Sequence, residues 1–398
     1  MTLSFKHLCC GLALCCSLAV GAGLPPGEFS GELGMEARGF PQRGAFGNTD
    51  RADFSITVQP EYVAAWEEDR KVVTFEPFVR WSRLDDDRSH ADIRELSFVG
   101  SWELLELRVG ISKVFWGVTE SQHLIDVINQ TDLVENPDGE DKLGQPMVNA
   151  VYVSDFGNFE FFLLPYFRER TFAGTEGRLR GNPVISNDAI YLSDEGERHI
   201  DGAFRWSHYI GALEWGIAYF NGTDREPGFR PGPGGSTLQP VYGQAEQWGL
   251  ELQYVMGDWL LKGEALAKES TVHGDYWASV AGFEYTFTNI YQGMDIGVLY
   301  EWLYDERGVT AGSGLDNASF GGTRIALNDE NSAELLLGGF IDHQTGELSN
   351  AFLESSRRIN ENWKATLEAG LFANPQPGSF LGQLKRDDYL QFRLSYFW

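Results

Sequence analysis

The sequence has 398 residues, a formal net charge of -27, 46 glycines and 14% aromatic residues. Such acidity argues against nucleic acid or an anionic lipid face as partner and says little about fold. Aromatic and glycine content favours β structure over helix, and beyond the first 23 residues no apolar run reaches the roughly 18 residues a bilayer-crossing helix needs.

In chain order, Lys6 and His7 precede the apolar run LCCGLALCCSLAV and the small residues Gly21, Ala22 and Gly23. A basic start, a short apolar stretch and a small-residue site predict a secretory signal over residues 1–23, cut after Ala22 or Gly23. A lipoprotein signal is disfavoured because Leu14, not a small residue, precedes Cys15. Cys9, Cys10, Cys15 and Cys16 all lie inside this segment, so residues 24–398 hold no thiol or disulfide.

Residues 24–398 read as one domain of alternating segments. In FSITVQPEYVAAW, Phe54, Ile56, Val58, Pro60, Tyr62, Ala64 and Trp66 share one face, with Ser55, Thr57, Gln59 and Glu61 on the other. The split recurs in EQWGLELQYVM from Glu246, where Trp248, Leu250, Leu252, Tyr254 and Met256 oppose Gln247, Gly249, Glu251 and Gln253, in MDIGVLYEWLY from Met294, and in YLQFRLSYFW, where Leu390, Phe392, Leu394, Tyr396 and Trp398 oppose Gln391, Arg393 and Ser395. The pattern gives about 18 strands of roughly ten to thirteen residues, with about 16 as the alternative count, longer than an ordinary globular strand and suited to a tilted membrane crossing. Connections alternate between tight turns (67–71, around 104, 157–158, near 211, 257–258, 289–293, 329–331, 360–362) and long segments (42–53, 118–147, 172–198, 222–243, 306–317, 375–387). That asymmetry predicts an all-β fold, a transmembrane antiparallel up-and-down barrel whose final strand pairs with the first. A soluble sandwich is the competing architecture.

Tryptophan placement favours the barrel. Trp81, Trp116, Trp248, Trp277 and Trp302 fall toward the long connections; Trp66, Trp102, Trp206, Trp215, Trp259, Trp363 and Trp398 fall toward the short ones. All but Trp116 share the greasy face. Indole prefers the headgroup boundary, so Trp66, Trp81, Trp102, Trp248, Trp259, Trp277, Trp302 and Trp398 are candidates for two aromatic girdles.

The mature chain resembles a Gram-negative outer-membrane porin. In LELRVGISKVFWG and INQTDLVENPDGED, the residues Arg108, Gly110, Trp116, Gly117, Asn129 and Asp132 match a loose R-x-G...WG...N-x-x-D pattern of poorly characterised porin-like families. The resemblance implies an outer-membrane location and passive or weakly selective diffusion of small polar solutes. It also implies outer-membrane lipid and lipopolysaccharide as surroundings, and an aromatic final residue, here Trp398, read by the barrel-assembly machinery. It further implies that the loop after the fifth strand, 118–147, folds inward as a constriction. A homo-oligomer is left open, and no cofactor or metal is expected.

If the polar faces point inward, candidate pore-lining residues are Glu76, Arg80, Glu106, Arg108, Asp201, Arg205, Glu251, Lys262, Glu264, Arg324, Lys364 and Arg393. Opposed charges across a pore favour small polar solutes, although the same charges also pair across strands and brace the wall. Candidate constriction residues are Asp126, Asn129, Asp132, Glu135, Asp138, Glu140 and Asp141, either an acidic eyelet favouring cations or a solvated turn; NPDGED lacks EF-hand spacing. His90, His123, His199, His208, His273 and His343 sit in no nucleophile motif, and neither G-x-S-x-G nor H-E-x-x-H occurs. The rivals to a channel are a plugged barrel serving as adhesin or anchor and, further off, an outer-membrane hydrolase.

Overall fold

The computed structural model describes residues 26–46 and 50–398; the expected signal over residues 1–23 lies outside them. Period-two alternation drives 18 segments into one closed antiparallel sheet. The strands are β1 (Glu28–Gly39), β2 (Ala52–Trp66), β3 (Lys71–Ser82), β4 (Ala91–Trp102), β5 (Leu105–Ser112), β6 (Gln145–Ser154), β7 (Gly157–Leu164), β8 (Asp201–Ile210) and β9 (Leu213–Thr223). They continue with β10 (Gln244–Met256), β11 (Trp259–Ser270), β12 (Gly274–Tyr291), β13 (Met294–Asp305), β14 (Asn317–Ala326), β15 (Glu334–Asp342), β16 (Leu348–Arg358), β17 (Trp363–Phe372) and β18 (Tyr389–Phe397). Each strand pairs with its sequence neighbours, and β1 pairs with β18 from Glu32 opposite Phe397 to Gly39 opposite Leu390. Closure leaves no strand edge for lipid to satisfy.

The register confirms the two faces. Leu33, Met35 and Ala37 of β1 oppose Tyr396, Leu394 and Phe392 of β18 on one row, while Glu32, Gly34, Glu36 and Arg38 form the other. Large outward side chains such as Trp81, Trp248, Leu252, Phe392 and Leu390 are exposed, as a lipid-facing surface requires. Eleven tryptophans lie on or next to that row; Trp116 instead is buried against Phe162 in the segment between β5 and β6. In β4, a bulge at Arg94 lets Glu76 face Glu95 while Pro77 faces Ile93, which turns the Arg94 side chain off the ladder toward the interior.

Three features differ from the sequence reading. The long segment after β5 spans 113–144, not 118–147: Gln145 and Met147 already belong to β6, opposite Ser112 and Gly110. The inward row is not polar throughout. Near the long-loop end, Val280, Leu299, Leu303, Phe320, Phe340 and Phe372 form an apolar cluster with Leu315, Leu381 and Leu384 from the connections before β14 and β18. Outer loops that fold back over the mouth bury this surface. Finally, the connections 165–200 and 224–243 share a small sheet, with Thr237–Tyr242 pairing Gly228–Pro231, Val184–Ile185 and Ile190–Tyr191, so the long segments 172–198 and 222–243 contain strands of their own.

Candidate functional site: the lumen and its inward loop

Two glycines shape the backbone on either side of the end of β5, where the segment 113–144 begins. Gly110 has φ of +135°, and a Cβ on it would stand 2.1 Å from the Leu96 carbonyl oxygen; Gly117 has φ of +139°, and a Cβ would stand 3.0 Å from Glu264 Oε1. Only glycine tolerates both positions. Asn129 then ties the two ends together: its Oδ1 accepts from Val114 N (2.9 Å), and its Nδ2 donates to the carbonyls of Ser112 (3.0 Å) and Leu143 (2.8 Å).

The loop touches one row of side chains on strands all around the ring. Glu264 of β11 accepts from Val118 N (2.7 Å), Thr119 N (2.9 Å), Thr119 Oγ1 (2.7 Å) and Ile125 N (3.3 Å). Glu301 of β13 accepts from the backbone N–H groups of Glu120 and Ser121, both at 2.8 Å. Arg324 of β14 donates to Glu120 (2.6 Å), Arg38 of β1 to Asn136 (3.1 Å), and Arg80 of β3 through Nε to Glu135 (2.8 Å). A segment that meets β1, β3, β11, β13 and β14 of a closed barrel on the same row lies inside it.

Of the expected constriction residues, four are fixed to protein. Asp126 pairs with Lys142 (3.2 Å), Asp132 accepts from Arg94 (2.7 Å) and Thr171 (2.6 Å), Glu135 is gripped by Arg80, and Asn129 is the clasp. Burial outweighs the Lys142 attraction and raises the Asp126 carboxyl, whereas the Arg80 guanidinium overcomes burial and holds Glu135 low. Asp138, Glu140 and Asp141 are exposed to the interior space. Enclosure first, then neighbouring carboxylates, push Asp138 up to about 6 and Asp141 up to about 7; solvent reaches both groups, which moderates the shift. His123 lies 3.4 Å from Glu140. Burial disfavours its charged form, but Glu140 prevails and raises it.

The expected pore-lining residues all occupy the inward row, with unequal access. Arg80, Asp201, Glu251 and Glu264 are buried. Asp201 is held by Arg225 (2.7 Å), and Arg205 joins Glu160 and Glu251. Glu76 accepts from Gln59, Arg393 meets Glu32 (2.7 Å), Arg108 approaches Glu106 (3.8 Å) and Lys262 approaches Glu284 (3.8 Å). Lys364 makes no ion pair among the described residues. Sequence reading missed Glu36, Arg88 and Arg94; Arg88 reaches Glu36 (2.8 Å), and only the bulge in β4 explains Arg94.

A cavity of about 530 Å³ remains between the loop and the wall, bordered by Asp138, Glu140, Phe352, Glu354, Glu368 and Tyr389. Of the cations that line it, Lys142 is matched by Asp126, Arg225 by Asp201, Lys268 by Asp224 (2.6 Å) and Arg307 by Asp305 (2.7 Å), while Arg170 meets the neutral acceptors Gln130 Oε1 and the Arg225 carbonyl. Among the described residues, Asp138, Asp141, Glu354 and Glu368 have no cationic partner within 4 Å. Also among the described residues, His90, Asp132 and Glu135 bring possible metal-ligand atoms within 4.8 Å of one another. Arg94 and Arg80 already hold those two carboxylates, which disfavours a cation there.

No family model matches this sequence, and no curated protein matches it. Among solved structures, a mutant of Rh. blastica porin is 8% identical at a TM-score of 0.44, covering 94% of this chain and 100% of that one. OmpT, an outer membrane protein of Vibrio cholerae, is similar in a loop-deletion form (12% identity, TM-score 0.44, 94% and 99% covered) and as the in-vitro folded trimer form (11%, 0.42, 94% and 100%). At such scores the likeness says nothing of substrate or activity.

Proposed function

We propose that this protein is an outer-membrane channel of a Gram-negative bacterium through which small polar solutes diffuse, with a weak preference for cations over anions. The observation that carries this reading is the acidic cavity inside the closed barrel, left between the inward loop and β16–β18. Unmatched carboxylates at its border attract cations, and the low-dielectric wall around it strengthens their field. Lipopolysaccharide and outer-membrane lipid would surround the girdles. Planar-bilayer recording of the purified, folded protein should give discrete conductance steps and a reversal potential of cationic sign in a salt gradient. Absence of steps would remove the channel reading.

The apolar packing of outer loops against Leu299, Leu303, Phe320 and Phe340 favours a second reading, a barrel plugged at its outer mouth and used for adhesion or anchoring. The same recording separates the two, because a plugged barrel stays silent.

A further inference from the structure

On the outward face, at the long-loop rim, five side chains from the adjacent strands β13 and β14 and the turn after β15 form one hydrogen-bonded chain. Ser319 Oγ lies 2.7 Å from His343 Nε2, and His343 Nδ1 lies 3.0 Å from Asn317 Oδ1. Trp302 Nε1 donates to the same Asn317 oxygen at 3.0 Å, and Tyr300 Oη stands 2.9 Å from Ser319 Oγ. The directions follow from chemistry. Indole N–H only donates, so the Asn317 atom that it meets is the oxygen; an oxygen only accepts there, so His343 Nδ1 carries the proton. In the neutral imidazole His343 Nε2 then presents its lone pair to the Ser319 hydroxyl, and Tyr300 donates to Ser319 Oγ. This is the protonation pattern of a nucleophile, its general base and the group that orients the base.

We propose that Ser319, His343 and Asn317 form a serine acyl-hydrolase site facing the outer leaflet, whose substrates are ester-linked acyl lipids. Position supports that substrate class. Ser319 stands opposite Trp302 in the ladder, at the aromatic belt where lipid ester groups meet the headgroup boundary. One outward step toward mid-membrane, Gly321 is paired with Gly339, and Gly339 with Ala351. A Cβ added to Gly321 would meet nothing within 4 Å. Leu348 Cδ1 covers Gly339, 3.2 Å from a Cβ built there, so the bare stretch of sheet is at Gly321, beside Tyr300 and directly below the serine, where an acyl chain can lie.

In the first step Ser319 Oγ bonds to the ester carbonyl carbon while its proton passes to His343 Nε2. As Oγ bonds to carbon, the Tyr300 hydroxyl that donated to it at 2.9 Å turns its proton to the developing oxyanion. The carbon–oxygen bond to the alcohol then breaks, and the His343 proton goes to the leaving alcohol oxygen. Water attacks the acyl-serine, giving one proton to His343 and releasing the fatty acid, and that proton returns to Ser319. Asn317 and Trp302 act as positioning residues that fix the imidazole.

The test uses the full, detergent-folded barrel and a fluorophosphonate probe, read by peptide mass spectrometry. A single adduct on Ser319 is expected, absent in Ser319→Ala and slowed by about 10²–10⁴-fold in His343→Gln, with heat-modifiable mobility showing that each variant is folded. Fatty acid should be released from vesicles of phosphatidylethanolamine and phosphatidylglycerol if glycerolipid is the source, or only from vesicles containing lipopolysaccharide if its acyl esters are. Gly321→Leu should lower turnover of long-chain esters while sparing short-chain ones, and Asn317→Asp should restore the rate and pH profile lost in Asn317→Ala. Folded protein with no Ser319 adduct, or with an adduct but no release from either vesicle, would overturn the proposal.

Discussion

Glu264 and Arg80 show how a charge on the inward row can be committed to the shape of the lumen instead of to solute. Glu264 accepts four hydrogen bonds from the loop, and a hydrogen bond to a charged group contributes about 1.5–3 kcal/mol. Glu264→Ala should free the segment around 118–125, seen as larger and noisier conductance steps, whereas Glu264→Gln keeps one acceptor oxygen and should behave closer to the parent. Arg80 is the counter-ion of both Glu36 and Glu135 in a buried site. Arg80→Ala strands Glu135, while Glu36 keeps Arg88 at 2.8 Å, and breaking a buried pair in this way destabilises by about 3–5 kcal/mol. Urea unfolding in micelles should show it as a lowered midpoint, with the added change Glu135→Gln recovering part of the loss. Both residues were legible as inward charges because alternation assigns a face. Their partners were not, since Glu135 is 55 residues from Arg80 and Glu264 is 145 from Thr119, and no local pattern encodes such pairings.

At the scale of elements, strands were legible and loops were not. Period two and turn chemistry act within ten or so residues, so the strand count, the outward rows of β2, β10, β13 and β18 and the alternation of connections all emerge from sequence. The fold of 113–144 depends on carboxylates presented by distant strands, and the Ser319–His343–Asn317 chain is assembled from one strand and a turn, outside any contiguous motif. Two consequences can be measured. Leu252 lies outward on β10, opposite Trp215 and Gly263, and Leu252→Arg should reduce insertion by about 2–4 kcal/mol if it sits near mid-membrane, measured as folding yield into vesicles. The loop acids give a pH effect. Enclosure and neighbouring carboxylates push Asp138 up to about 6 and Asp141 up to about 7, from 3.8. Below 3.8 both are neutral whether folded or unfolded; from 3.8 upward the unfolded chain ionises while the folded barrel keeps its protons, so stability falls across that interval and levels off once the folded carboxyls ionise at about 6 and about 7. As the folded carboxyls ionise, the cavity gains negative charge. Cation preference, read as reversal potential, should therefore weaken when pH is lowered from 8 to 5, and Asp138→Asn with Asp141→Asn should flatten that dependence.

Barrel closure is the property of the whole molecule on which lumen, loop and outward rim all depend, and it is made at one seam. Along it β1 and β18 pair over eight residues on each side, and the ladder runs on to Trp398, whose N–H donates to the Gly31 carbonyl at 3.2 Å. The indole lies over Gly31: a Cβ there would come within 2.3 Å of Trp398 Cζ2. Tyr396 and Trp363 continue the aromatic contact along the outward row. Until that seam forms, β1 and β18 each present an unpaired edge to hydrocarbon, where every unsatisfied N–H or C=O costs several kcal/mol. Contacts that hold the two edges in register therefore act on the rate of insertion more than on the finished pore. Trp398→Ala removes a partly exposed ring, a loss of about 1–3 kcal/mol by buried apolar area, and Gly31→Val displaces the ring while leaving it in the chain. Both variants should fold more slowly into lipid vesicles, by a similar factor, and their barrels, once closed, should conduct as the parent does. If Gly31→Val folds at the parental rate while Trp398→Ala is slow, the indole acts away from the seam, and its packing on β1 is not what closes the barrel.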